Sequence, residues 1–88
     1  MKLANVIGTV TATTKDAQLV GQTLLVCDVV DSKGTVIEPG LVAADSVGAG
    51  AGDQVLLVTG SAARMTGATS TVPIDASIIA IIDSVHIR

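Results

Sequence analysis

The sequence contains no phenylalanine, tyrosine or tryptophan. A core without aromatic rings has to be built from valine, isoleucine, leucine and alanine, which favour β-sheet packing. The missing rings also remove the stacking platforms on which proteins that bind single-stranded nucleic acid depend. Eight acidic residues outnumber five basic ones, for a net charge of −3. We therefore expect no nucleic-acid partner.

Cysteine and histidine occur once each, as Cys27 and His86. A single cysteine cannot form an internal disulfide, which is typical of a protein of the reducing cytoplasm. Cys27 lies in the most apolar predicted strand, which indicates a buried, inert thiol. His86 has no evident partner for general-base catalysis, so we interpret it as a surface or interface residue.

Long apolar runs and clusters of metal ligands are also missing. No stretch is long enough to span a bilayer, and the N-terminus alternates instead of forming a signal-peptide core, so no membrane partner is expected. The aspartates stand singly and match neither calcium-loop spacing nor a metal cluster. We predict no catalytic residue, no metal and no cofactor.

What is present is an unusually apolar small domain, taken as one unit over residues 1–88. Hydrophobic residues make up 49% of the chain and charged residues 15%. A chain of this mass folds to a surface of about 4,700 Å², which leaves a thin margin of burial for a lone monomer. We interpret the apolar excess as surface that contacts partner subunits.

Periodicity and turn residues predict five strands. The period-two pattern of residues 3–12 is typical of a strand, and the apolar residues 23–31 indicate a central one. Asp31 and Gly34 suit a hairpin, and Pro39-Gly40 marks a second bend before a strand at 41–45. Two more strands are predicted at 53–60 and 76–87, with one helical turn between them that Ser61 caps and Gly67 ends. This pattern predicts a small closed or nearly closed barrel.

The stretch DSVGAGAGDQ poses the question of a phosphate-binding loop. Its glycines fall at 48, 50 and 52, whereas a dinucleotide fingerprint needs G-x-G-x-x-G at the start of a helix. Asp53 would repel a phosphate, and no Walker lysine follows. We interpret the loop as a turn whose glycines permit positive φ or close packing. Ser61 is not a nucleophile either, because Gly-x-Ser-x-Gly is absent.

Several segments in the same order resemble one family. They are GTVTATTKDAQLVGQTLLV, the Val-Gly-Ala-Gly loop at 47–50, Gly60 to Arg64, and Pro73 to Asp83. The chain resembles the EutN/CcmL family, the vertex proteins of bacterial microcompartment shells, over nearly its whole length. The resemblance implies an OB-like five-stranded barrel that forms cyclic pentamers in the cytoplasm. These pentamers would cap the five-fold corners of a carboxysome-like or catabolic shell and contact its hexameric and trimeric proteins.

Two sets of residues become candidate contacts in such an assembly. The small residues of the glycine loop suit a subunit seam or the five-fold axis: Gly48, Ala49, Gly50, Ala51 and Gly52. The compact turn that ends in an arginine suits contact with neighbouring shell proteins: Ser61, Ala62, Ala63 and Arg64. Two alternatives to a non-catalytic vertex protein stay open at this point. One is an OB-type binding module for a small ligand or peptide, and the other is an accessory enzyme subunit.

Overall fold

The computed structural model describes residues 1–67, 69 and 72–87. Two single 3-10 turns, Ala17–Leu19 and Gly60–Arg64, are here called the first and second turn. The five strands are β1 (Lys2–Val10), β2 (Thr23–Val30), β3 (Val36–Asp45), β4 (Gln54–Thr59) and β5 (Ala76–Ile81).

The strands close into a barrel in the order β1-β2-β3-β5-β4. Neighbouring strands run antiparallel except β3 and β5, which run parallel and pair over only two rungs, Ala44 with Ser77 and Asp45 with Ile78. A closed barrel removes most of the exposed strand edge that an open sheet would present. The predicted all-β, five-stranded OB-like barrel is confirmed, although it carries two short 3-10 turns where one helical turn was predicted.

The barrel interior is filled by small aliphatic side chains. Alternate residues of each strand point inward, because successive side chains of a strand lie on opposite faces of the sheet. Side chains of this kind interdigitate closely in protein interiors. The buried core consists of Ala4, Val6, Leu25, Cys27, Val29, Ala43, Val55, Leu57, Ala76 and Ile78.

The hairpin between β2 and β3 forms where Asp31 and Gly34 predicted it. The Asp31 carboxylate accepts hydrogen bonds from the backbone N–H groups of Lys33 and Thr35 at 2.8 and 3.0 Å. The prediction of a strand that begins only at residue 41 is wrong, since β3 already begins at Val36.

Pro39-Gly40 therefore bends a strand and does not separate two. The register between β2 and β3 shifts beside it. Gly40 takes a φ of +71°, which favours glycine. Its N–H donates to the Asp28 carboxylate at 3.0 Å. The bend is absorbed as an irregularity of the ladder, and the strand continues through it.

The last strand is shorter than its sequence predicts. The prediction of a strand over 76–87 is wrong beyond Ile81. Ile81 pairs with Val55, and the N–H of Ile82 donates to the carbonyl of Gln54, the first residue of β4. Past that point β5 has no partner strand to pair with. His86 consequently lies outside the sheet, exposed, with its ring Nε2 3.4 Å from the Ser84 hydroxyl.

The second turn also differs in detail from its prediction. It spans Gly60–Arg64, so Gly67 does not end it. Thr59 occupies the N-cap position, and no side chain caps the turn, so the predicted capping role of Ser61 is wrong. Gly60 has a φ of +67° and donates its N–H to the Asp75 carbonyl at 2.8 Å. The turn is thus held by the segment that leads into β5.

Candidate functional site

The second turn is anchored to the barrel through one backbone carbonyl. Ala63 is fully buried, and its carbonyl oxygen accepts hydrogen bonds from two hydroxyl groups. The Ser77 hydroxyl of β5 donates at 2.6 Å and the Thr69 hydroxyl at 2.8 Å. Both donors are themselves buried, and the Thr69 hydroxyl also contacts that of Thr66. Ala63 therefore fixes the turn in place and offers no side-chain surface to a partner.

The other side of the turn faces outward. Ser61, Ala62 and Arg64 are all exposed. Within the described residues no carboxylate lies at salt-bridge distance from Arg64. The next residue, Met65, is 86% exposed, although methionine is normally buried. An unpaired guanidinium beside an exposed thioether suits a protein contact. No pattern in the sequence predicted the exposure of Met65.

The glycine loop between β3 and β4 already uses its backbone donors. The Asp45 carboxylate accepts from the N–H groups of residues 47, 48 and 49, and the Asp53 carboxylate accepts from that of Gly50 at 2.9 Å. The N–H groups of Gly52 and Asp53 donate to the carbonyls of Val6 and Gly50. A phosphate would have to displace these carboxylates and overcome their charge. The interpretation of this loop as a structural turn agrees with this hydrogen bonding.

Positive φ explains two of the three glycines of this loop. Gly48 and Gly52 have φ values of +85° and +94°, whereas Gly50 does not take a positive φ. A Cβ placed on any of the three would meet no atom within 4 Å. Close packing inside one chain is therefore not what requires glycine here. Ala49 packs against the core cluster, so the loop covers one end of the barrel.

The two candidate sets of residues do not form a single site. The loop Gly48–Gly52 precedes β4, and the second turn follows it, so the strand places them at its opposite ends. Ala51, Gly48 and Gly52 are exposed, and so is most of the second turn. These positions suit two separate contacts.

The structure shows the expected environment for Cys27. It is fully buried in the core, and burial raises the pKa of its thiol, with smaller contributions from the carboxylates of Asp45 and Asp28. A thiol that keeps its proton is a poor nucleophile. Across residues 1–67, 69 and 72–87, no group of histidine, cysteine and acidic residues is arranged to hold a metal ion. In the same residues no helix is long and apolar enough to cross a membrane.

Known proteins of one family are similar to this chain over almost its whole length. The family described as "Ethanolamine utilisation protein EutN/carboxysome" matches residues 1–83. The chain belongs to the EutN/CcmL family. It is 46% identical to the carboxysome shell vertex protein CcmL of Nostoc, across 100% of this chain and 88% of that protein. It is 40% identical to the bacterial microcompartment shell vertex protein EutN of Escherichia coli, across 97% and 90% of the two chains.

A solved structure extends the likeness to three dimensions. The EutN/CcmL chain described here superposes on GrpN, a pentameric microcompartment shell protein from Rhodospirillum rubrum, with a TM-score of 0.86 and 38% identity. The match covers 100% of this chain and 99% of GrpN. A EutN/CcmL member is a structural shell vertex protein, so this chain is not an enzyme.

Proposed function

We propose that five copies of this chain form a ring that closes a five-fold corner of a bacterial microcompartment shell. The observation that carries the proposal is the match of the whole barrel to a pentameric shell protein at 38% identity. The ring would be a homopentamer of 43.5 kDa, five chains of 8.7 kDa. Its location would be the shell itself, within the bacterial cytoplasm.

The packing of the chain favours a structural role over that of a ligand-binding module. The barrel interior is packed with aliphatic side chains, and the glycine loop covers one of its ends. Every buried side-chain nitrogen and oxygen among the described residues has a hydrogen-bond partner. Because the interior is packed and its polar side chains are hydrogen-bonded, we assign contacts with partners to the outer surface.

We infer that the second turn contacts the hexameric and trimeric proteins that surround the vertex. Arg64 and Met65 stand exposed on a turn that two buried hydroxyls hold against β5. A rigid base lowers the entropy lost when the turn docks. The guanidinium offers five donors in a planar fork, and such a contact at a well-packed seam is worth about 2 kcal/mol. Five copies in a ring multiply the effect through multivalency.

The test replaces Arg64 and counts pentamers in assembled shells. Wild type and the variant Arg64→Ala are each co-expressed with the cognate hexameric shell proteins, and the purified shells are analysed by quantitative mass spectrometry. We expect the Arg64→Ala chain to stay folded, because the guanidinium contacts no carboxylate of its own described chain. The isolated ring should stay intact, because the proposed partners of Arg64 are the surrounding shell proteins and not the adjacent copy. Its occupancy in shells should fall several-fold.

A matched control is Lys33→Ala, which removes an exposed positive charge on the β2–β3 hairpin. Lys33→Ala changes the net charge by the same amount as Arg64→Ala. It should leave the occupancy of pentamers in shells unchanged if the position of Arg64, and not the net charge, determines docking. Wild-type occupancy in the Arg64→Ala shells would contradict the contact. Shells whose five-fold corners exclude the wild-type chain altogether, seen by cryo-electron microscopy, would contradict the vertex function.

A further inference from the structure

The sulfur atoms of this chain differ in how far solvent reaches them. The sequence holds one cysteine and two methionines, which are Cys27, Met1 and Met65. Cys27 is fully buried, and burial raises the pKa of its thiol, so the thiol stays protonated and unreactive. Met1 and Met65 are 85% and 86% exposed. An oxidant in solution therefore meets two thioethers and no thiol.

The backbone at Met65 is fixed, although its side chain is not covered. Met65 is the C-cap residue of the second turn, and its N–H donates to the carbonyl of Ala62 at 3.1 Å. The turn is held to the barrel at the Ala63 carbonyl by the hydroxyls of Ser77 and Thr69. The thioether is thus presented to solvent from a fixed point. A chemical change at its sulfur should leave the packing of the barrel intact.

A peroxide converts an exposed thioether to a sulfoxide. A lone pair on the sulfur atom of Met65 attacks one peroxide oxygen, the O–O bond breaks and an S–O bond forms. With hydrogen peroxide, the displaced hydroxide takes the proton of the transferred oxygen and leaves as water. Sulfur loses the two electrons that the peroxide gains. Methionine sulfoxide reductases reverse the change, while two thiols become a disulfide and the oxygen leaves as water.

Oxidation changes what the second turn presents to a partner. The thioether is apolar and adaptable, which suits a buried protein contact, whereas the sulfoxide is polar. A polar group covered without a hydrogen-bond partner opposes the contact. Burial of one methionine side chain strengthens a contact by about tenfold or more. The loss at each copy is repeated around the ring through multivalency.

We propose that Met65 makes docking of the ring sensitive to peroxide: oxidation of its sulfur in the free ring blocks incorporation into the shell, and reduction restores it. This inference rests on the proposed contact of the second turn with the surrounding shell proteins, and adds how that contact is regulated. Arg64 supplies the charged part of the contact and Met65 the apolar part, and the apolar part responds to the oxidant. Docking covers the thioether, so a ring already in the shell is protected.

The test oxidises the ring before it meets the shell proteins. Purified wild-type chain is treated with hydrogen peroxide until peptide mass spectrometry shows the sulfoxide at Met65, and the peroxide is then removed. The treated ring is added to shells assembled from the cognate hexameric proteins in cells that lack this chain. We expect the amount of bound ring, measured by quantitative mass spectrometry, to fall at least several-fold. Prior incubation of the treated ring with methionine sulfoxide reductases A and B and a dithiol should restore it.

The variant Met65→Leu is the matched control, because leucine is apolar and of similar size but has no sulfur. Each protein is compared with its own untreated sample, so any effect of the substitution itself on docking cancels. Treated Met65→Leu still carries Met1, and it should bind shells to the same extent as untreated Met65→Leu. Cys27 should remain a free thiol in every sample, because it is buried.

Four results would overturn the proposal. A wild-type ring that carries the sulfoxide at Met65 and binds shells like the untreated ring would do so. An equal loss of binding for treated wild type and treated Met65→Leu would assign the effect to Met1. Dissociation of the treated ring in native mass spectrometry, or a Met65 that resists peroxide while Met1 reacts, would place Met65 inside the ring and not at its docking edge. An untreated wild-type ring that binds no shell would instead contradict the proposed function itself.

Discussion

The two hydroxyl groups that hold the Ala63 carbonyl provide a quantitative test of how the second turn is fixed. Ser77 and Thr69 are each 2% exposed, and both donate to the same oxygen. Ser77→Ala removes one donor and leaves the carbonyl paired with Thr69. The free energy of unfolding should fall by about 1 kcal/mol, the net worth of one hydrogen bond.

The double variant Ser77→Ala/Thr69→Val should lower the free energy of unfolding by more than the sum of the two single variants. Thr69→Val keeps the shape of the side chain and removes the other donor, again for about 1 kcal/mol, plus a smaller loss at the Thr66 hydroxyl. With both donors gone, the buried carbonyl has no side-chain partner left, and its desolvation adds about 1–3 kcal/mol. The expected coupling between the two sites is therefore about 1 kcal/mol or more.

The assay is a double-mutant cycle from urea unfolding followed by circular dichroism. All variants are compared at one chain concentration, because the stability of an oligomer depends on concentration. Ser61→Ala serves as the control, since Ser61 is exposed on the same turn and caps nothing there, and it should change stability by less than about 0.5 kcal/mol. Additive effects within about 0.4 kcal/mol would refute the shared-carbonyl argument.

Two further predictions concern the interior and its loop. Gly48→Ala and Gly52→Ala should each destabilise the chain by about 1 kcal/mol or more in thermal unfolding, since both positions have positive φ, whereas Gly50→Ala should be nearly neutral in the isolated chain; equal losses at all three would contradict this reasoning. Cys27 should resist thiol reagents until the chain unfolds. Because burial raises its pKa in the folded chain, stability should be fully present below the ordinary value of 9.0 and decline as pH rises above it. The stability of Cys27→Val should lack that decline. If the variant loses as much stability above pH 9 as the wild type does, other groups cause the decline.

The fold class could be predicted from local patterns, since alternation, β-branched residues and turn signals describe strands directly. The number of strands already indicated a closed or nearly closed barrel, and the family resemblance specified that the barrel is OB-like. The length of the last strand could not be predicted from composition, because Ile82 is as apolar as Ile81. The strand ends there because the N–H of Ile82 bonds to the carbonyl of Gln54, the first residue of β4, and β4 offers no further residue to pair with. Strand length is set by the neighbouring strand, and a single sequence does not state where that neighbour begins.

The bend at Pro39-Gly40 shows the same limit. A proline-glycine pair normally ends a strand, yet here the Asp28 carboxylate, twelve residues away, accepts the Gly40 N–H and keeps the ladder intact. Interactions between distant residues decide such cases.

The candidate contacts were predictable only in part. Exposure of Arg64 followed from its charge, but the inward orientation of Ala63 depends on hydroxyls from Ser77 and Thr69 that no local pattern links to it. The sequence predicted an excess of apolar surface without locating it.

Native mass spectrometry of the purified chain at micromolar concentration tests the central claim most directly. The vertex function requires a closed ring of five. We predict one dominant species of 43.5 kDa, five chains of 8.7 kDa. A dominant monomer of 8.7 kDa, or a dimer of 17.4 kDa from two chains of 8.7 kDa, would contradict the account.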